Sequence, residues 1–446
     1  MRTAEHAAPP TVGASLRSEP TRPVKLLNRV LAPFGPRFPD VSFASFARVA
    51  ERLTRLDDWG DDAAIARFRR CAEAVQNNDN LSPWGRASLR IYLQTKFMNH
   101  LKRVAFVRRH PEVHEVPIEA PLVIFGWYRT GTTLLHSLLA ADPAHRAPRT
   151  WEMWFPVPAA RDPRRDRALR RAATAFLLKT NRFIVPEQAS AHYIEVDYPE
   201  ECFFLFENAG CSTTLFNTYQ AYEYGLALLE EDLRPVYAEH KLQLQILSLA
   251  QPRRRWVLKC PFHLWALDAL LFTYPDALCV QTHRDVRQAL PSNCSLSAMT
   301  TSKFVKRLDL RAHGAFWENY YALGMARGLA SRQRIADGRL ADVRLADLSR
   351  APLATIRALY EDLGLDFPRD VENAYRHEVL QHPKNAHGAH VYGPRDFGLD
   401  PDRLATRFAA YHSAFGLTGA AHPIADRQRR GSAEMLGYAN PGYVAD

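Results

Sequence analysis

An apolar run, Pro121-Leu122-Val123-Ile124, opens into Phe125-Gly126-Trp127-Tyr128-Arg129-Thr130-Gly131-Thr132-Thr133, and a helical pattern then continues to Asp142-Pro143. Backbone N–H groups at such a helix start, added to the positive end of its dipole, make an anion cradle. Arg129 brings a full positive charge to that cradle, and the hydroxyls of Thr130, Thr132 and Thr133 add neutral donors around Gly131. Two more cations close apolar runs downstream. Lys259 ends the strand-like part of WVLKCPFHL, and Arg284 ends LCVQTHR. Ser292 follows Arg284 by eight residues. An arginine fork holds a phosphate through two bonds, and a serine hydroxyl supplies a third donor. These residue types suit the capture of a small, multiply charged anion and the transfer of a charged group from it.

The elements that must position these groups read as α/β. Candidate strands are Pro121–Phe125, Trp256–Cys260, Leu278–His283 and Asp342–Leu345. Each precedes a helical pattern, which implies parallel pairing through helix crossovers. Ligands of such sheets bind beyond the carboxyl ends of the strands, where Arg129, Lys259 and Arg284 all stand. Ahead of the sheet, residues 41–115 carry apolar residues at three- and four-residue spacings and read as a helical cap. Residues 1–40, rich in Pro and Ala, are expected to lack a fixed fold. The α/β domain is expected over 116–417, with a helix-rich, aromatic-rich insertion at about 151–250. A loop-like tail then runs from 418 to 446.

Composition limits the partners. A formal charge of +10 calls for an anionic one. Nucleic acid is one candidate, but no nucleic-acid-binding motif of the usual kind is present, and a small, multiply charged nucleotide would serve equally well. Six cysteines, Cys71, Cys202, Cys211, Cys260, Cys279 and Cys294, lie scattered without a C-x-x-C pair. That favours reduced thiols over disulfides or a zinc site, and no compact ligand set for a metal appears. The start has no apolar signal-peptide core, and no run approaches the ~20 residues of a membrane span. A cytoplasmic protein is expected, with peripheral membrane contact still open and the oligomeric state unread.

The loop fails the Walker pattern, because Thr132 and Thr133 follow Gly131 where a lysine would stand. Arg-Thr-Gly-Thr-Thr instead resembles the 5′-phosphosulfate loop of sulfotransferases that use 3′-phosphoadenosine 5′-phosphosulfate (PAPS). Arg284 and Ser292 resemble the 3′-phosphate element of the same family. The resemblance extends over roughly residues 45–415 and is strongest to a bacterial group with LDDWGDD-like and LKSPFHL-like segments. It implies a P-loop NTPase-like sulfotransferase fold, a central parallel sheet flanked by helices. It also implies PAPS bound by Arg129, Thr130, Gly131, Thr132, Thr133, Arg284 and Ser292, with Lys384, His387 and His390 in place of a basic glycine-containing loop. Two departures are Cys260, where the group shows a small hydroxyl residue, and the bulky Trp127-Tyr128, placed to narrow an entrance.

Sulfuryl transfer needs cations at the departing phosphate, donors on the sulfonate oxygens, and a base for the acceptor's proton. Arg129 and Lys259 suit the first task and the loop amides the second. Glu152 is the expected base for the third, with His263 as its rival. Glu152, 23 residues past Arg129, is placed much as the catalytic glutamate of tyrosylprotein sulfotransferases. His263 follows Lys259 by four residues, where cytosolic sulfotransferases use a histidine two residues on. His192, Glu200 and Glu201 are further candidates. The aromatics between Trp151 and Phe216 favour a lipophilic acceptor alcohol. A P-loop nucleotide kinase, or a non-catalytic nucleotide-binding protein of the same fold, is the alternative.

Overall fold

The computed structural model of the chain describes residues 21–184, 194–249, 251, 253–381 and 393–417. Its centre is a sheet of five strands: β1 Leu122–Phe125, β2 His145–Arg146, β3 Arg255–Lys259, β4 Leu278–His283 and β5 Leu340–Arg344. All pairings are parallel, in the spatial order β2-β3-β1-β4-β5. Strands covered on both faces need apolar residues on both, which is why β1 is apolar throughout and β3 and β4 carry the runs Trp256–Leu258 and Leu278–Val280. β5 lies at an edge and alternates, with Ala341 and Val343 buried and Asp342 turned outward. β2 is the other edge, and its two residues carry no pattern to read.

The two faces of the sheet feed two cores. Leu122, Ile124, Val257 and Val280 pack on Leu135 and Leu138 of the helix Thr132–Ala140 and on Ile356 and Leu359. Val123, Phe125, Leu258 and Cys279 pack on the opposite side against Leu205, Tyr237, Trp265 and Tyr320. The second core is built largely from the insertion, whose helices include Pro163–Ile184 and Arg234–Ser248.

Ahead of the sheet lies a helical region with helices Phe43–Thr54, Asp62–Gln76 and Pro83–Arg109. Its core of Phe46, Phe68 and Phe97 is completed by Leu215, Tyr219, Phe304 and Val305 from the rest of the chain. The joint is tight at the start of the long helix. A Cβ on Gly85 would lie 1.8 Å from the Phe304 carbonyl oxygen, so only glycine allows this approach. Within the stretch expected to lack a fixed fold, Arg22–Leu31 is helical. Pro23 occupies its first turn, where a missing N–H costs nothing. Val24 is buried, and Asn28 Oδ1 accepts from the Trp84 amide at 2.8 Å.

An ion pair also ties the helical region to the insertion. Lys96 Nζ lies 3.4 Å from Glu207 Oε2, and both side chains are at most 5% exposed. Burial pushes the Lys96 ammonium below its usual range and the Glu207 charge pulls it back. Removing one partner strands the other charge. Glu207→Leu is therefore expected to cost about 3–5 kcal/mol of stability in denaturant titration, with much of it recovered in Lys96→Met/Glu207→Leu.

Candidate active site

The order β3-β1-β4 sets three carboxyl ends side by side. The loop 126–131 leaves β1, Lys259 ends β3, and Arg284 directly follows β4. Residues 25 to 155 positions apart in sequence thus meet at one edge of the sheet through strand order alone.

The loop is fastened to β4. Thr130 Oγ1 donates to the Trp127 carbonyl at 2.6 Å and pairs with Thr282 Oγ1 at 2.6 Å. Gly126 permits this contact, since a Cβ there would stand 2.3 Å from Thr282 Oγ1. The Thr130 hydroxyl is therefore committed to holding the loop, and only its amide is left for an anion. Arg129 sits at φ +67°, a left-handed conformation that costs a non-glycine residue about 1–3 kcal/mol and is common where a loop is held for binding. Gly131, at φ +93°, turns the chain into the helix Thr132–Ala140, whose start carries no side-chain cap. Thr133 is exposed at that start and Thr132 is buried.

Arg129 turns toward β4. Its Nε donates to Ser292 Oγ at 3.1 Å, and its carbonyl accepts from Arg284 Nη1 at 3.0 Å. Arg284 and Ser292 thus adjoin the loop arginine itself. Asp285 caps the helix Val286–Thr301 through the Arg287 amide, and His412 Nε2 accepts from the Val286 amide at 3.1 Å. Those first amides are consumed, so the charge offered on this side is that of the two arginines.

Lys259 lies on the other side of the loop and is 1% exposed. Its Nζ donates to Thr133 Oγ1 at 3.3 Å and to Glu201 Oε1 at 2.5 Å. Glu201 is held there by its backbone neighbours: the Cys202 amide donates to the Lys259 carbonyl at 3.0 Å, and the Glu200 amide to Pro148. Glu201 Oε2 has no hydrogen-bond partner among the described residues.

The other candidate bases are placed differently. Glu152 is buried, with Oε1 accepting from Arg146 at 2.7 Å and Oε2 from the Arg149 amide at 2.9 Å. Arg146 also lies over the Trp256 ring. Glu152 thus caps its short helix, Thr150–Trp154, and fastens it to β2. His263 is fully buried between Tyr237 OH, 2.7 Å from Nδ1, and Cys202 Sγ, 3.1 Å from Nε2. Burial drives its imidazole well below its usual range. His192, Lys384, His387 and His390 lie outside the described residues.

Both sequence departures have local explanations. Cys260 Sγ accepts from the Phe262 amide at 3.3 Å, capping the turn Pro261–Leu264 as a hydroxyl would. Of the pair expected to narrow an entrance, Tyr128 is partly buried with its ring edge-on to Trp317, and Trp127 lies in the core. It is buried and stacked on Tyr321, with ring centroids 4.1 Å apart, and beside Trp265. Among the described residues, no group of three His, Cys, Asp or Glu side chains is placed to hold a metal.

Residues 121–369, more than half of the chain, match the model of the sulfotransferase family. The chain belongs to that family. This sulfotransferase resembles the crystal structure of sulfotransferase STF1 from Mycobacterium tuberculosis, at 31% identity and a TM-score of 0.73 over 83% of this chain and 99% of that one. It also resembles STF9 from Mycobacterium avium, at 26% identity and a TM-score of 0.75 over 85% of this chain and 97% of the other. A sequence relative is the omega-hydroxy-beta-dihydromenaquinone-9 sulfotransferase Stf3 of Mycobacterium bovis and Mycobacterium tuberculosis. It is 24% identical over 341 residues, covering 68% of this chain and 81% of the relative. The fold and the transfer of a sulfuryl group are those expected from the loop and the strand ends.

Proposed function

We propose that this sulfotransferase takes its sulfuryl group from PAPS and passes it to the hydroxyl of a lipophilic alcohol. The observation that carries the reading is the meeting of the Gly131 helix start, Lys259, and the Arg284–Arg129–Ser292 cluster at three adjoining strand ends. PAPS has an anionic group at each end of its nucleoside. The phosphosulfate would meet Lys259, Thr133 and the amides of Gly131 to Thr133. The 3′-phosphate would meet Arg284 and Ser292, and Arg129 stands between the two.

Lys259 Nζ is paired with Glu201 Oε1 at 2.5 Å, so a phosphosulfate reaching the same ammonium would compete with that carboxylate. This makes Glu201 the base we favour over Glu152 and His263. Displaced from Lys259, it would accept the acceptor's proton while the acceptor oxygen forms its bond to sulfur. The bond from sulfur to the bridging oxygen breaks, and its electron pair leaves on the phosphate of 3′-phosphoadenosine 5′-phosphate. Lys259 and Arg129 offset that growing charge in a site whose cations are already fixed.

A lipophilic acceptor is supported by the aromatics that follow Glu201 in the chain and pack on Trp154. Phe203 and Phe204 stack at 4.0 Å and Trp154 meets Phe204 edge-on, all three only partly buried. The relative named for an omega-hydroxy menaquinone points the same way.

Calorimetry on Arg284→Ala tests the donor assignment. Loss of a charged hydrogen bond is worth about 1.5–3 kcal/mol, so 3′-phosphoadenosine 5′-phosphate should bind roughly 10–100-fold more weakly. Adenosine 5′-phosphate, lacking the 3′-phosphate, should lose little. Equal losses for both nucleotides would remove Arg284 from the 3′ site.

A further inference from the structure

The helix Arg22–Leu31 turns an apolar row toward solvent. Leu26, Val30 and Phe34 recur every fourth residue, and Phe38 stacks on Phe34 with centroids 4.8 Å apart. The opposite side holds Val24 in the core. The helix Pro163–Ile184 behaves alike: its buried residues form a narrow row from Asp166 to Ile184, while Phe176 and Phe183 stand outside it. These six apolar side chains are 43–71% exposed. The two helices adjoin, since Thr21 Oγ1 donates to the Ile184 carbonyl at 2.8 Å and Val24 and Ile184 share one buried cluster. Exposed apolar rows of this extent mark a surface that meets a partner.

Charge identifies the partner. From residue 20 to residue 39 the chain carries Arg22, Lys25, Arg29 and Arg37 and no Asp or Glu. All four are exposed. In Pro163–Ile184 the one acidic residue, Asp166, is buried against Arg170 at 2.5 Å. The outward charges of that helix are Arg164, Arg165, Arg167, Arg171, Lys179 and Arg182. Arg171 and Arg182 meet Asp197 and Glu195, and the balance stays basic. Two copies facing each other through this surface would repel. Apolar rows fringed by arginine and lysine are instead the pattern of helices that lie in a headgroup layer, with rings in the acyl boundary and basic stems reaching for phosphates. No helix among the described residues is long and apolar enough to cross a membrane, so such contact would be with one leaflet.

We infer that the face formed by Arg22–Leu31, Phe34, Phe38 and the outer side of Pro163–Ile184 docks on an anionic lipid bilayer. Co-sedimentation of the full chain with phosphatidylcholine vesicles containing about one-quarter phosphatidylglycerol tests it. Binding should be at least ~10-fold tighter than to pure phosphatidylcholine and should weaken as salt is raised. Phe34→Ser/Phe38→Ser and, separately, Arg22→Glu/Arg29→Glu should each lower it ~10-fold with unchanged thermal unfolding. Equal sedimentation with both vesicle types, or with both variants, would overturn the inference. So would a concentration-dependent dimer that Phe34→Ser/Phe38→Ser dissolves, since the face would then be covered by a second copy. Vesicle binding involves no sulfuryl transfer, so either outcome is independent of the donor and acceptor assignments.

Discussion

Lys259→Met is expected to lower turnover by roughly 10²–10³, the usual cost of removing one preorganised donor from a developing oxyanion. The substitution keeps the buried stem and deletes the charge. Glu201, its partner, is partly exposed, so the fold should survive the loss of the pair. If Lys259 acts mainly as charge builds on the bridging oxygen, turnover should fall further than donor affinity does. Steady-state kinetics beside calorimetry with 3′-phosphoadenosine 5′-phosphate separates these contributions. A variant with normal turnover and merely weaker nucleotide binding would confine Lys259 to holding the ground state.

Glu201→Gln should depress turnover by about 10²–10⁴, the range for loss of a general base, while nucleotide binding is kept or tightened. Tightening is expected because the amide no longer neutralises Lys259 at 2.5 Å, leaving its charge for the donor. A purely structural Glu201 would weaken binding and stability together. Glu152→Gln serves as the control. It removes the charge opposite Arg146 and loosens the cap on Thr150–Trp154, so it should lower stability more than turnover. Near-normal turnover in Glu201→Gln, with collapse in Glu152→Gln or His263→Ala, would move the base elsewhere.

The sheet was legible where physics made the sequence repetitive. β1, β3 and β4 are buried on both faces, and the short apolar runs Leu122–Phe125, Trp256–Leu258 and Leu278–Val280 betray them to within a residue or two. β2 was not, because two edge residues define no period. The meeting of Arg129, Lys259, Arg284 and Ser292 was legible because each sits at a fixed distance from a strand end, a local relation. The base we propose was less so, because it rests on a contact through space. Glu201 and Lys259 are 58 residues apart, and nothing in TYR-PRO-GLU-GLU-CYS spacing announces the pairing. Glu152 did carry a local signal: three residues past Arg149, it occupies the position from which a glutamate reaches back to cap a helix start. His263 follows Lys259 closely in sequence, but that proximity says nothing of which way a short turn faces, and its ring is buried between Tyr237 and Cys202.

The shared core of the helical region bears on how the chain is made. Asn80 Nδ2 donates to the Arg307 carbonyl 227 residues later, beside the Gly85–Phe304 contact. The amino-terminal helices leave the ribosome long before the residues that finish their interior. At ~5–20 residues per second that interval is roughly 10–45 s. During it Phe46, Phe68 and Phe97 have only the apolar residues of their own helical region around them, Trp59, Leu93 and Leu101 among them, and the unfinished layer is exposed to chaperones or to neighbouring chains. Pulse-labelled nascent chains released before residue 300 should be captured by holdase chaperones or degraded, and those released after the last described helix should not.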